Sequence, residues 1–354
     1  MGRMLPVARS SSYIPHAVSF PPIVCALVYS WSGWEMRNAR SRRRSARHRR
    51  LLRWLIAALA VAAAYGAFVA PRLVDVSRHA VTLPNLPEQA ESLRIVQISD
   101  LHAGPLFRAA AVRRIVRLAS SLRPDVVVLT GDFVSYRSIG YLPDAARELA
   151  RLRAPSGVFA ALGNHDHWED APRVRADLRK VGIRVLVNEN VRLRNGLFLA
   201  GVDDLMSGEP DLGRTLDSIP RRQALIILSH NPTVLPELAD RSCLILAGHT
   251  HGGNVALPFL GPRGTMALPG ISWFAKLWEA LGVRARGGRL EAVATYRYPA
   301  GWYAEGRARM YVSRGVGVNQ ATPLRLNCRP EIAVFDLIRP DVTLRFPTRS
   351  RQYK

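Results

Sequence analysis

The chain has 354 residues, 48% of them apolar, and a formal net charge of +23 at pH 7. This apolar fraction is ample for a large core, and a single α/β domain of about 245 residues is within the known size range. The cysteines, Cys25, Cys243 and Cys328, are an odd number at wide spacing without a C-x-x-C pair. This spacing disfavours a disulfide scaffold and a thiolate metal site, and Cys243 is expected in the core.

The positive charge is concentrated before an apolar segment. Residues 1–53 contain eleven arginines and a single acid, Glu35, for a net charge of +10, whereas the other 301 residues carry +13. Seventeen uncharged residues follow, from Trp54 to Ala70. We predict a transmembrane signal anchor over 54–70, because this length is at the lower limit for a span and Leu51 and Leu52 extend it.

Charge also predicts the orientation of the anchor. Positive residues on its amino side place that side in the cytoplasm, so the following domain is expected on the outer, periplasmic or extracellular face. A cleaved signal peptide is the alternative, because Arg49-Arg50 invites a twin-arginine comparison. The most obvious cleavage point is after Ala70, and Pro71 at the next position disfavours cleavage there. This favours an uncleaved anchor. Nucleic-acid binding is disfavoured, since the basic block lacks interleaved aromatics and abuts an apolar span.

Four further segments complete the expected organisation. Residues 1–53 are predicted to be a basic, disordered segment, within which Met36 is a candidate start that would make the first thirty-five residues an upstream extension. Residues 71–92 are predicted to be a polar, proline-bearing linker. The catalytic domain is expected over 93–340 and a basic tail over 341–354.

Strands and helices alternate after the linker. We predict strands at 94–99, 125–130 and 157–161, helices at 108–122, 142–152 and 169–181, and a meander of strands at 184–187, 191–194 and 197–202 with turns at 188–190 and 195–196. The prediction of a helix at 108–122 is based on the helical spacing of four apolar residues, Ala111, Ile115, Leu118 and Leu122. Apolar strands with helices between them indicate an α/β fold with a mixed, mostly buried sheet.

Five polar motifs each follow an apolar, β-branched segment. The segments are RIVQIS, DVVVLT, GVFAAL, ALIILS and CLILA. The motifs are Asp100-Leu101-His102, Gly131-Asp132, Gly163-Asn164-His165-Asp166, Ser229-His230 and Gly248-His249-Thr250-His251. Side chains delivered from the ends of adjacent strands converge on one edge of a sheet, which predicts a metal site there.

The mixture of side chains narrows the metal. Carboxylate, imidazole and amide groups without cysteine suit Mn, Fe, Zn, Co or Ni. The seven candidate ligands are Asp100, His102, Asp132, Asn164, His230, His249 and His251. One ion cannot use all seven, but two divalent ions about 3.5–4 Å apart, sharing a carboxylate and a hydroxide, can clamp and attack a phosphate ester.

Each motif alone has a simpler interpretation. Asp100 or Asp132 could be a helix N-cap or turn residue, and His230 an ordinary loop residue. His249 and His251 could alternate along an edge strand. Their joint, ordered occurrence favours the metal site.

The ordered motif series resembles that of the calcineurin-like metallophosphoesterases. The strings ISDLHAG, GNHDHW and GHTHGG are similar to the bacterial membrane-associated phosphodiesterase branch of that family, and the similarity continues through MYVSRGVG and PLRLNCRPEI. It runs from about Leu93 to about Ile338. One departure is Asn254, where a glutamine is expected. The resemblance implies a two-sheet mixed β sandwich flanked by helices, here preceded by one N-terminal transmembrane helix.

The resemblance also implies a role for each site residue. Asp132 would bridge two ions, with Asp100, His102 and His251 completing one site and Asn164, His230 and His249 the other. His165 would lie beside the phosphate and act on the leaving group or on transition-state charge. Asp166 and Asn254 would support the ligands without binding the ions. A metal-bridging hydroxide would be the nucleophile.

The function that the resemblance implies is hydrolysis of a phosphodiester or pyrophosphate, with a lipid-linked or nucleotide-sugar-lipid phosphate as substrate. A nuclease or cyclic-nucleotide phosphodiesterase would use the same two metals. A non-catalytic binding module on this fold is a third reading. The intact ligand set counts against the module, and the expected outer-face location counts against cyclic nucleotides.

The segment 261–297 is longer than the resembling branch leads us to expect. Ile271, Phe274, Trp278 and Leu281 would share one face of a short helix within it, followed by arginines. Such a helix could pack on its own domain. Alternatively, it could rest in the lipid interface or roof the active site, since tryptophans beside basic residues favour that interface.

Overall fold

The computed structural model describes residues 47–256, 259–260, 297–318 and 323–340. The predicted helix within 261–297, the segment before residue 47 and the tail 341–354 lie outside the described residues.

The first helix, α1 (Arg47–Arg72), contains the predicted membrane segment. It has 26 residues, and its mean hydropathy reaches 1.9 over an 18-residue window. By length and composition it is a candidate membrane span. Its backbone widens to a π-helix over Tyr65–Val69 and then tightens to a 3-10 turn over Ala70–Arg72.

Five further helices occur in the described chain: α2 (Ala109–Ser121), α3 (Leu142–Leu149), α4 (Asn164–Glu169), α5 (Ala171–Lys180) and α6 (Leu212–Thr215). The strands are β1 (Asp75–Thr82), β2 (Arg94–Ile98), β3 (Val126–Thr130), β4 (Val158–Ala161), β5 (Arg184–Val185), β6 (Glu189–Arg192), β7 (Phe198–Gly201), β8 (Leu225–Leu228), β9 (Cys243–Ala247), β10 (Gly301–Glu305), β11 (Ala308–Val312) and β12 (Glu331–Ile338).

The strands form two six-stranded mixed sheets. The first has the order β1-β12-β2-β3-β4-β5, and the second has the order β10-β11-β9-β8-β7-β6. Strands β2 to β5 run parallel, as do β7, β8, β9 and β11. The antiparallel pairs are β12 with β2, β10 with β11 and β6 with β7. The predicted two-sheet mixed sandwich is confirmed.

Apolar side chains fill both faces of the sheets. Val128, Leu228 and Phe335 belong to a fully buried cluster that both sheets contribute to. On the other face of the first sheet, Ile115 of α2 and Leu178 of α5 join a second buried cluster. Each such side chain contributes about 1.5–3 kcal/mol relative to an exposed one, so this packing holds the parallel strands in register.

Most elements agree with the sequence prediction. The strands predicted at 94–99, 125–130 and 157–161 and the helices at 108–122 and 169–181 are confirmed with ends shifted by one or two residues. The helix predicted at 142–152 already ends at Leu149.

The predicted linker at 71–92 was wrong for most of its length. Residues 75–82 form β1, which pairs in parallel with β12 along eight residues. Leu83, Leu86 and Ala90, which follow it, are buried in the core. In this edge strand Asp75, Ser77 and His79 are half-buried and Arg78 and Thr82 are exposed, so the segment lacks the continuous apolar run that marks a buried parallel strand.

The predicted meander was wrong at its first strand. β6 and β7 form the expected antiparallel hairpin, but β5 pairs with β4 in the other sheet. Asn188, between β5 and β6, has a left-handed backbone with φ of 52°. Its side-chain oxygen accepts hydrogen bonds from Asp203 N and Asp211 N. This turn carries the chain from one sheet into the other, a change that alternation alone does not reveal.

Candidate metal centre

The carboxyl ends of parallel strands from both sheets place the polar motifs together. Asp100 follows β2 and Asp132 follows β3, while Asn164 begins α4 just after β4. His230 follows β8 and His249 follows β9. All seven candidate ligands are at most 6% exposed, so a set of polar side chains is buried at one edge of the sandwich.

Three of the candidate ligands form a first group. The Nε2 atoms of His102 and His251 lie 2.9 Å apart, and Asp100 Oδ1 lies 3.5 Å from His251 Nε2. Asp100, His102 and His251 have the residue types and the spacing to hold a metal ion.

A second group lies around the Asn164 amide. Its Oδ1 is 3.1 Å from His230 Nε2 and 3.0 Å from His249 Nδ1. The two imidazole nitrogens are themselves 3.3 Å apart.

The carboxylate of Asp132 lies between the two groups. Its Oδ2 is 3.3 Å from His102 Nε2 in the first group and 3.3 Å from His230 Nε2 in the second. Its other oxygen, Oδ1, accepts a hydrogen bond from the backbone N–H of His165. One carboxylate therefore faces both groups while its orientation is held by the α4 backbone.

These distances fit divalent ions. An ion about 2.1 Å from each nitrogen and oxygen ligand puts neighbouring ligand atoms about 3.0–3.4 Å apart. The distances within the two groups, 2.9–3.5 Å, are close to that range. Asp100 Oδ2 is also buried without a hydrogen-bond donor among the described residues. Facing imidazole nitrogens and an unsatisfied carboxylate oxygen are costly alone, and a cation between them removes that cost.

Three of the four candidate histidines have a lowered pKa, which favours the neutral imidazole that a metal ligand needs. Burial lowers the pKa of His102 to about 3 and that of His249 to about 3. Burial, aided by His102 and Arg325, holds the pKa of His251 well below its usual value. The pKa of Asp132 is well below normal, because neighbouring histidines, His230 foremost, outweigh the opposing effect of burial. His230 differs, because the Asp132 carboxylate outweighs burial and holds the pKa of its imidazole well above the usual value. The other three imidazoles beside the Asp132 carboxylate form a donor set for a cation.

His230 shows how the protein orients such a ligand. Its Nδ1 donates to the carbonyl oxygen of Thr130 at 2.7 Å, which leaves Nε2 to face Asp132 and Asn164. A backbone partner of this kind fixes both the tautomer and the ring plane of a metal ligand.

The loops that carry the ligands have unusual backbones. Five of the seven candidates have a left-handed φ between 48° and 75°, namely Asp100, His102, Asp132, His249 and His251. Such a conformation costs a non-glycine residue of the order of 1–3 kcal/mol at a strained site. A Cβ on Gly131 would meet Gly163 N and His230 Nδ1 at 2.7 Å, so glycine permits the close approach of the loops.

His165 lies beside the first group of candidate ligands. Its ring centroid is 4.7 Å from that of His102 and 4.6 Å from that of Trp168. Its Nδ1 is buried without a hydrogen-bond partner among the described residues. Together with His102 and Asp132 it is also close enough to hold an ion. The geometry therefore allows both a ligand role and the predicted role beside the phosphate.

Asp166 braces the ligand loops from behind. Its Oδ2 accepts from Gly163 N and Asp132 N, both at 2.9 Å, and its Oδ1 accepts from Phe133 N at 2.8 Å. One carboxylate thus ties the loop after β3 to the start of α4.

Asn254 lies at the end of the histidine loop. It is 9% exposed, has a φ of 57°, and its backbone N–H donates to His251 O at 3.1 Å. Its position agrees with a role behind the ligands.

Sequence reasoning missed three residues at this edge. Asp203 and Asp204 follow β7, and Asp203 is 2.8 Å from His167 Nε2. They come after an apolar strand in the same way as the predicted motifs, so the same rule could have found them. The fully buried Arg325 lies 3.1 Å from His251 Nδ1 and donates to the carbonyls of Arg314 and Gly317. It lies in the string PLRLNCRPEI, but no residue of that string was predicted to belong to the site.

Comparisons with known proteins agree with this geometry. A family profile described as calcineurin-like phosphoesterase matches residues 93–253. The metallophosphoesterase YkuE of Bacillus subtilis is 30% identical over 303 residues, covering 82% of this chain and 96% of YkuE. Phosphodiesterase YaeI of Escherichia coli is 28% identical, covering 82% of this chain and 98% of YaeI. The UDP-2,3-diacylglucosamine pyrophosphatase LpxG of Chlamydia trachomatis is 28% identical, covering 53% of this chain and 72% of LpxG.

Proposed function

This chain belongs to the calcineurin-like phosphoesterase family, and from that premise we propose that it is a two-metal hydrolase of a phosphodiester or pyrophosphate bond in a lipid-linked substrate. The observation that carries the proposal is the position of Asp132, whose Oδ2 lies 3.3 Å from a nitrogen of each ligand group. A carboxylate so placed can serve both groups at once.

The two groups would hold the two ions. Asp100, His102 and His251 would complete one site, and Asn164, His230 and His249 the other, with Asp132 shared. Two divalent ions held there would polarise the phosphoryl oxygens and supply the attacking water. Mn, Fe, Zn, Co and Ni all suit this set of oxygen and imidazole ligands.

The chain supplies the remaining chemistry through His165. Burial lowers the pKa of its imidazole, opposed by the Asp132 carboxylate, so the ring is neutral in the resting protein. A substrate phosphate would bring negative charge next to this ring and favour its protonation. His165 could then donate a proton to the departing oxygen as the phosphorus–oxygen bond breaks.

The lipid-linked substrate is supported by two observations. LpxG acts on a diacylated sugar nucleotide, as its name states, and shares 28% identity over 238 residues. The candidate membrane helix α1 ends at Arg72, three residues before β1. A catalytic domain joined so closely to a membrane helix has its substrates enriched at the lipid surface. We place this domain on the outer face, because the arginines precede α1's apolar segment.

A substrate panel tests the proposal. Full-length protein in detergent, loaded with Mn²⁺ or Zn²⁺, would be assayed against bis(p-nitrophenyl) phosphate, p-nitrophenyl phosphate, UDP-2,3-diacylglucosamine, a cyclic nucleotide and single-stranded DNA. We expect hydrolysis of the diester and of the lipid pyrophosphate, and none after chelation. Preference for DNA or the cyclic nucleotide would favour the second candidate function, and inactivity on every substrate with both ions bound would indicate a binding module.

A further inference from the structure

A groove lies between the last turns of α1 and the beginning of α2. Its volume is about 490 Å³, and apolar walls come from Phe68 of α1 and from Leu106 and Phe107 of the loop before α2. Phe68 is 65% exposed and Leu106 is 55% exposed. Large apolar side chains left exposed on both sides of one groove indicate an apolar ligand.

The same groove carries unbalanced positive charge. Arg72, Arg108 and Arg114 line it, and none of the described lining residues is acidic. Arg114 Nε is buried and has no hydrogen-bond partner among the described residues. Burial and then the charge of Arg72 lower the pKa of Arg114, as expected for a guanidinium without a counter-ion.

A neighbouring arginine shows the contrast. Arg113, one residue earlier on α2, makes an ion pair with Glu148 at 2.7 Å. The chain therefore supplies a carboxylate for the arginine outside the groove, while no described carboxylate pairs with the one inside it.

The groove also has a defined place relative to the membrane. α1 ends at Arg72, and the groove is lined by its last residues, from Ala67 to Arg72, so it lies at the carboxyl end of the candidate span. The backbone N–H of Arg325 donates to Gly66 O at 3.0 Å and ties this end of α1 to the domain. Side chains at the end of a span lie at the level of the lipid headgroups, where phosphate is abundant.

We propose that this groove binds an anionic phospholipid of the surrounding membrane, with the phosphate against Arg114 and Arg72 and an acyl chain against Phe68 and Leu106. The lipid here is a bound component and not the hydrolysed substrate, because none of the seven candidate metal ligands lines the groove. A phospholipid matches the groove better than an acidic peptide does, since it combines a phosphate for guanidinium groups with a chain for the apolar walls and brings no backbone amides to bury.

Native mass spectrometry of the full-length protein in detergent tests this proposal. Dioleoyl phosphatidylglycerol and dioleoyl phosphatidylcholine would each be titrated, and the bound fraction measured. We expect one tightly bound phosphatidylglycerol and weaker binding of phosphatidylcholine, whose choline offsets the phosphate charge. Arg114→Gln should weaken phosphatidylglycerol binding about tenfold, because it removes a charge-assisted contact.

Matched variants keep the test specific. Arg117→Gln, three residues along α2 on an exposed position outside the groove, removes the same charge and should leave lipid binding unchanged. Leu106→Ser changes an exposed wall residue and should weaken binding of the lipid but not of soluble glycerol 1-phosphate. Asp132→Asn should retain the lipid, so a failure of the metal proposal would not disturb this readout.

Three outcomes would overturn the lipid site. Equal phosphatidylglycerol binding by wild type and Arg114→Gln would remove the guanidinium from it. Glycerol 1-phosphate binding as tightly as the phospholipid would indicate a plain anion site. Equal loss in Arg114→Gln and Arg117→Gln would indicate general attraction of a basic protein for anionic lipid.

Discussion

The interior of the sandwich and the edge that carries the candidate metal ligands use the same strands in opposite ways. Ile226 in β8 is completely buried among apolar side chains, and four residues later His230 is equally buried among polar ones. Apolar burial stabilises the fold by itself. Buried histidines and carboxylates on left-handed backbones cost free energy until a ligand compensates them. The apolar packing of the interior therefore offsets the free-energy cost of the polar edge. The two regions should respond differently to substitution.

Asp132→Asn should produce the largest effect on the edge. The amide keeps the size of the carboxylate but removes the charge that faces both ligand groups. We expect affinity for both ions to fall by more than about 100-fold, since even residues behind metal ligands change affinity 10- to 100-fold. Native mass spectrometry and elemental analysis would count the ions, and hydrolysis should be lost with them.

Asp336→Asn is the matched control for that substitution. Asp336 lies in β12 and pairs with Arg94 at 2.7 Å, away from the metal ligands. It should keep two ions and full activity. A protein that holds a single ion, with an affinity that Asp132→Asn does not change, would refute the two-metal proposal.

His165→Ala should separate binding from chemistry. If the ring serves the leaving group, both ions remain and turnover falls by about 10² to 10⁴. The loss should be smaller for an aryl diester than for an alkyl diester, because a good leaving group needs little protonation. Equal losses would make His165 a stabiliser of transition-state charge, and loss of an ion would make it a ligand, which its closeness to His102 and Asp132 also permits.

Ile226→Ala should affect the interior without changing the edge. Truncating a fully buried isoleucine costs about 2–5 kcal/mol of unfolding free energy. Chemical denaturation would measure that loss, and the folded fraction should still bind two ions with unchanged affinity. Leu73→Ala, at a position 38% exposed, is the control and should cost much less. A change in metal affinity in Ile226→Ala would show that the two regions are coupled.

The smallest predicted effect lies at the rim of the edge. The pKa of His167 is raised because the bond to Asp203 outweighs the effect of burial. The protonated pair therefore stabilises the fold fully below the unfolded-state pKa of histidine, and this contribution is lost as the pH rises through the higher folded value. Asp203→Asn should lower the pKa of His167 in an NMR titration. It should also reduce the dependence of the unfolding free energy on pH. An unchanged pKa would assign the shift to another group.

The sequence predicted the strands and the candidate ligands better than it predicted contacts between distant segments. Apolar runs followed by Asp, Asn or His predicted β2, β3, β4, β8 and β9 and the meeting of all seven candidate ligands at one edge. Each of these predictions needed only the order of neighbouring residues. Contacts between distant segments were not predictable. Residues 75–82, which form β1 and pair with β12, were predicted to belong to a linker. The residues at Asn188, where the chain passes from one sheet to the other, were predicted to form a turn within one meander. Arg325 contacts His251, which lies 74 residues earlier in the chain, and the residues next to either one do not predict that contact.

The pairing of β1 with β12 has a consequence for the order of synthesis. β1 begins three residues after the candidate membrane helix, whereas its partner begins at Glu331. During translation, β1 emerges early and must wait until nearly the whole domain has been made before its parallel neighbour exists. Closing so long a loop is slow, and until it closes the unpaired strand is exposed to wrong partners. The helix that ends three residues before β1 therefore limits how far this unpaired strand can move until β12 has been made.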